Sequence, residues 1–179
     1  MSRKIQDDVE LEETTLMAAR TAFLDLFKKH PGKYYYCSMF TDGLANGPAI
    51  TAWSYEALYH ATAEAVDQQN AENWLKWSYG ESPFFCYRDD LFEPIRKAFQ
   101  ARGGLDSKTW SDEFESRMRI MENVMRRLDG ENIFGVGELR KMLVVAVEII
   151  PPDASNTERV KRLNPPEAIA MWMAEYDNS

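Results

Sequence analysis

What this chain has little of narrows its chemistry first. Its 179 residues include two histidines and two cysteines. His30, Cys37, His60 and Cys86 show neither C-x-x-C nor H-x-x-x-H spacing, the close pairs on which structural zinc sites usually build. There is no G-x-S-x-G motif. The thiols sit among aromatics, in Tyr36-Cys37-Ser38 and Phe85-Cys86-Tyr87. Apolar surroundings raise a thiol's pKa rather than activate it. No metal, no cofactor and no catalytic residue is expected.

Positive charge is also scarce. Lys and Arg number 21 against 29 Asp and Glu, a net charge of −8 and a pI near 4.9. An acidic surface repels phosphate backbones and anionic lipid, so neither nucleic acid nor membrane is an expected partner, and a basic protein is. Apolar runs such as Met142–Val147 fall far short of a membrane span. No apolar stretch follows a basic one near the N-terminus, so no signal peptide is expected and the chain reads as cytoplasmic. In that compartment both thiols are expected free and buried; spacing alone leaves a Cys37–Cys86 disulfide open.

What is present suits one globular domain over 1–179, with 1–6 and 177–179 expected to fray. The hydrophobic share is 45%, enough for a core. Residues 7–29 read as a helix with Leu16, Phe23, Leu24 and Phe27 on one face, stopped by His30-Pro31-Gly32. The aromatic segment 34–40 and Ala49–Trp53 read as an antiparallel hairpin with a roomy loop at 42–48. Ser54 is placed to cap a helix running to about Gln69. Residues 70–88 read as an irregular loop packed on the domain, and about 90–102 as a helix with Ile95 and Phe99 inward and Gly103-Gly104 at its end. The stripe Phe114, Met118, Met121, Met125 and Leu128 reads as the buried face of another helix, closed by Asp129-Gly130. Met142–Val147 opens an interior strand over 142–150, with Glu148 at an exit from the core, and Pro151-Pro152 ends it. Asn164-Pro165-Pro166-Glu167 announces a last helix. The expected architecture is α+β: a small, mostly antiparallel sheet of three or more strands covered by about five helices.

The order of these segments resembles a known family. An amphipathic helix leads into the aromatic strand and Thr41-Asp42-Gly43. There follow Trp53-Ser54-Tyr55-Glu56-Ala57-Leu58, Leu75-Lys76-Trp77-Ser78 and Pro83-Phe84, then the strand at 143–149 and Leu163-Asn164-Pro165. From about 16 to 176 the chain resembles a bacterial family known only as a domain of unknown function. Some members of that broad group lie beside polymorphic toxin genes, whose neighbours often act as immunity proteins. The motifs are structural and carry no site residues across.

Candidate sites then rest on the residues themselves. Asp89-Asp90, with Glu81 and Glu93, could hold a cation, but adjacent acids at a helix start are favoured by the helix dipole alone. Gly135-Val136-Gly137 lacks the third glycine of a dinucleotide fingerprint and reads as a turn. Residues 54–95 carry eight acids against Lys76 and Arg88. Trp74 and Trp77 lie in that stretch, and Trp is enriched in binding hot spots. The expected partner surface is therefore Asp42, Glu72, Trp74, Trp77, Glu81, Asp89 and Asp90. The function expected is that of a non-enzymatic acidic binding protein, an immunity protein neutralising a toxin being the sharpest form. The alternatives are a homo-oligomeric structural module and a small carboxylate-dependent enzyme.

Overall fold

The structure, a computed structural model, describes residues 7–103 and 109–176. The expected fraying of 1–6 and 177–179, and Gly104 of the helix stop, lie outside the described residues.

Helix α1 (Asp8–Lys29) starts where the Asp7 carboxylate accepts the N–H of Glu10 at 2.9 Å, with acids in its first turn and lysines in its last, as the helix dipole favours. Leu16 and Phe23 are buried, while Leu24 is exposed. Strands β1 (Tyr34–Asp42) and β2 (Ala49–Ser54) form the expected antiparallel hairpin. Ser54 caps α2 (Tyr55–Thr62) by accepting the N–H of Ala57. This helix ends seven residues before the expected Gln69. Every residue from Ala63 to Asn70 is exposed, so no apolar face remains to hold further turns. Asp67 then caps a new helix, α3 (Gln68–Leu75), in what was expected to be irregular chain.

A 3₁₀ turn at Asp89–Phe92 leads into α4 (Glu93–Ala101), and Ile95 and Phe99 are buried as expected. In α5 (Trp110–Gly130) the methionine stripe is core: Met118, Met121, Met125 and Leu128 are buried. After the short α6 (Glu138–Lys141) come β3 (Val144–Ile150), α7 (Ala154–Leu163) and α8 (Pro166–Tyr176). The Ile150–Pro151 bond is cis.

The α+β class holds. The sheet has order β2-β1-β3 and is mixed rather than mostly antiparallel, because β3 joins β1 in parallel. Eight α-helices, more than the five expected, surround it among the described residues. The central strand is β1. Strand β3 has the two covered faces expected of it, but it occupies a sheet edge, and its ladder begins at Val144 rather than Met142. One face of the sheet carries Cys37, Met39, Ile50, Val145 and Val147 against α1, α4 and α5. The other carries Tyr36, Trp53, Val144 and Ala146 against α2, α7 and α8.

Both edges are sealed by side chains and loop. Along β3, Asn164 bonds the N–H and C=O of Val145, Asn156 bonds those of Ile149, and Arg159 donates to the Val147 carbonyl. Along β2, the segment 76–88 is pinned by Trp53 Nε1 to the Ser78 carbonyl at 2.7 Å, Ser82 Oγ to the Ala52 carbonyl, and Tyr87 N–H to the Ile50 carbonyl at 3.2 Å. An unpaired edge invites pairing with another chain, and here neither edge is left open.

Candidate functional site

The seven residues expected to form a partner surface divide into two groups. Asp42 ends β1, and its carboxylate accepts the N–H groups of Leu44 and Asn46 and the Asn46 side-chain amide. It builds the hairpin turn, as Asp does where it bonds its own backbone two residues on. Asp89 is held by both terminal nitrogens of Arg96, at 2.8 and 2.9 Å, and Asp90 by Arg88 at 2.9 and 3.1 Å. The Arg88 guanidinium keeps the Asp90 carboxyl below the ordinary value. Glycine at position 47 lets the hairpin loop approach Arg96, since a Cβ there would fall 2.1 Å from Arg96 Cγ. Asp89 and Asp90 thus form an arginine-bound corner with much of its negative charge already answered, and the hairpin loop that Asp42 closes packs against its Arg96.

The other group lies on and after α3. No residue of this helix is buried. Trp74 is 69% exposed. Glu72 accepts a bond from Gln68 one turn earlier. Exposed Glu64 and Asp67 precede them, and no ion pair binds either among the described residues. Trp77 is different: its ring packs edge-on against Tyr35 and Tyr36, at 5.4 and 6.0 Å between centroids, and its buried indole N–H has no partner among the described residues. Tyr35 fastens this stretch by donating to the Lys76 carbonyl. Glu81 is exposed in the turn before Ser82. Tyr36, where Trp77 sits, lies six residues along β1 from Asp42, ~20 Å at the rise of a strand. Trp74 and Glu72 therefore share a surface that Asp42 and Asp89 do not join.

The sequence placed Glu148 at an exit from the core, and what it hid is the carboxylate's partners. Glu148 is partly buried on β3, and its Oε2 accepts bonds from both Tyr36 Oη and Ser38 Oγ. Burial pushes this carboxyl above the ordinary glutamate value, against the pull of the two hydroxyl donors. Its signal in the sequence is a lone acid between Val147 and Ile149, where neighbouring residues are all apolar. Among the described residues no three His, Cys, Asp or Glu side chains converge as metal ligands would. Cys37 is buried and Cys86 half-buried, and both are free. Burial raises both thiols.

Fold and surface together define a small α+β domain with a sealed mixed sheet and an exposed acidic helical hairpin on one side. Residues 16–165 match the family model described as Domain of unknown function (DUF4303), and the chain belongs to that family. No curated protein and no solved structure matches it. No helix of the described residues is long and apolar enough to cross a membrane.

Proposed function

We propose that this chain is a non-enzymatic acidic binding protein whose partner is a basic protein, acting in the manner of an immunity protein that masks a toxin. The observation that carries the reading is Trp74. A large apolar ring stands exposed on a helix that has no fully buried residue and only Leu75 packed against the core. Exposed single apolar residues are common, but Trp is the side chain most enriched in interface hot spots. Around it Glu64, Asp67 and Glu72 supply a field suited to steering a cationic surface. The arginine-bound corner at Asp89 and Asp90 contributes less to that field.

The test is binding to the product of the neighbouring gene, followed by surface kinetics at several salt concentrations. Charge reversal at Glu64, Asp67 and Glu72 should slow association and flatten its salt dependence. Trp74→Ala should speed dissociation by roughly thirtyfold, the kinetic equivalent of ~2 kcal/mol. Unchanged kinetics for both variants would dismiss the α2–α3 surface.

A second reading, self-association, is favoured by a separate feature. A groove of about 200 Å³ is lined by Phe27, Tyr34, Ile133, Phe134 and Leu143, and Leu139 at its margin is exposed, as is nearby Val136. A second copy could insert such a side chain in an isologous pairing. Light scattering decides it: a dimer abolished by Leu139→Asp supports this reading, and a monomer at high micromolar concentration removes it.

A further inference from the structure

Glu148 interrupts an otherwise apolar strand and has one oxygen with nothing to do. The parallel register sets Glu148 beside Phe40, Ala146 beside Ser38 and Val144 beside Tyr36, all on one face of the sheet. Both hydroxyl donors, Tyr36 Oη and Ser38 Oγ at 2.5 Å, go to Oε2. Oε1 accepts no hydrogen bond from the described residues, and Glu148 as a whole is only partly buried.

Aromatic rings lie on the same face beside it. Thr51 lies next to Ser38 across the hairpin and donates to the Tyr79 carbonyl at 3.0 Å, which holds Tyr79 against the same face. Tyr79 lies 5.7 Å from Phe40, and Phe40 stacks on Phe85 at 5.1 Å. Phe85 is 44% exposed. A carboxyl oxygen beside aromatic faces is a setting that attracts a cation, through a charge-assisted hydrogen bond to the oxygen and through the ring quadrupoles.

The charged and titratable groups facing Glu148 are few. From β1 comes Tyr36, from the 76–88 segment Tyr79, and from α7 Arg159. Burial holds both phenols above their ordinary values, so they stay neutral. Among the described residues Arg159 is the one fixed cation acting on Glu148, and its guanidinium donates to the Val147 carbonyl at 2.8 Å and Asn156 Oδ1 at 2.6 Å. Its field weakens the attraction for a second cation without filling the position at Oε1. Trp77, which follows α3, packs against Tyr36, whose hydroxyl donates to Glu148.

We propose that the Glu148 niche seats one basic side chain, a lysine or arginine, of a bound protein partner, with Oε1 taking its N–H and Tyr79 and Phe85 taking its stem. The source of that side chain rests on the basic-partner reading above; the chemistry of the niche does not. The experiment uses the isolated protein with n-butylguanidinium and n-butylammonium as probes and n-butylurea as a neutral control. The Glu148 carboxyl carbon is followed by NMR as pH is varied at physiological salt. The cationic probes should lower the Glu148 midpoint by about 1 unit, as an opposite charge within hydrogen-bond reach does, and the urea should leave it in place. Chemical-shift changes at Tyr79 and Phe85 on probe addition should vanish in Glu148→Gln. An unmoved midpoint overturns the proposal, as does equal action by the urea or equal binding to Glu148→Gln. Probe binding together with failure to bind the neighbouring gene product keeps the niche and discards the basic partner. The opposite result keeps the partner and discards the niche.

Discussion

The side-chain amide of Asn164 stands in for a missing neighbour strand at Val145. Its Oδ1 accepts the Val145 N–H at 2.8 Å and its Nδ2 donates to the Val145 carbonyl at 2.6 Å. Asn156 repeats the arrangement four residues along the strand, at Ile149. Buried backbone groups must find partners, and an unmade bond costs more than a made one contributes. Asn164→Ala and Asn156→Ala should therefore each lower stability by about 2 kcal/mol in urea denaturation. Asn164→Asp keeps the acceptor but loses the donor and should restore part of the loss. Wild-type stability in either alanine variant would show the edge is not held this way.

The pH dependence of stability isolates Glu148. Its carboxyl sits above the ordinary value of 4.5 in the fold, because burial disfavours the charge. The folded state then keeps a proton that the unfolded chain has released, so stability from this group is full below 4.5 and is lost as pH rises through the higher folded value. Glu148→Gln removes the titration. The stability of wild type minus that of the variant should fall as pH rises above 4.5 and then level off. Carboxylates held low by arginine, such as Asp90, Glu122 and Glu131, lose their contribution as pH falls and cancel in the difference. A flat difference above 4.5 would mean that burial does not raise the Glu148 carboxyl in the fold.

The two tryptophans near α3 should respond oppositely to truncation. Trp74→Ala removes an exposed ring and should change stability by no more than about 0.5 kcal/mol. Trp77→Ala removes a ring packed on Tyr35 and Tyr36 and should cost about 2 kcal/mol. Acrylamide should lose most of its access to tryptophan fluorescence in Trp74→Phe and little in Trp77→Phe. Equal losses would refute the division.

The thiols should likewise differ. Cys37 is buried between the sheet and α1, whereas Cys86 is only half-buried, which corrects the expectation of two largely buried thiols. A thiol-reactive probe on the native protein should modify Cys86 first, at a rate reduced by its raised pKa, and Cys37 only on unfolding. Rapid native modification of Cys37 would contradict its burial.

Much of the fold was legible because it follows from local pattern. The helix at 7–29, the methionine stripe of α5 and the hairpin at 34–54 are each written in contiguous residues. The covered faces of β3 were legible too, since six apolar residues in a row cannot face water. Hydropathy reports which faces are dry, not which strand lies alongside, so the parallel docking of β3 on β1 and its edge position were hidden. Helix α3 was hidden because Gln68-Gln69-Asn70 are exposed, leaving no apolar face to read. The candidate surface was half legible. The acids of 54–95 could be counted, but the pairing of Asp89 with Arg96 depends on the 3₁₀ turn that leads into α4, and the hydroxyls beneath Glu148 depend on contacts between distant segments. In the Glu148 cluster, Tyr36 and Ser38 lie more than about a hundred residues from their acceptor.

The position of β1 also has a consequence during synthesis. Its first neighbour, β2, follows within a few residues and can pair at once. Its second, β3, is made about a hundred residues later. Until that segment leaves the ribosome, a strand of mostly buried side chains, Tyr34–Asp42, has one flank of its backbone unpaired. Closing so long a loop is slow compared with forming a hairpin, so the nascent chain passes through a stage in which its central strand is open to other chains. Chaperone dependence and yield should accordingly track the supply of the C-terminal half, and a separately expressed 140–176 segment offered in trans has a vacant partner waiting for it.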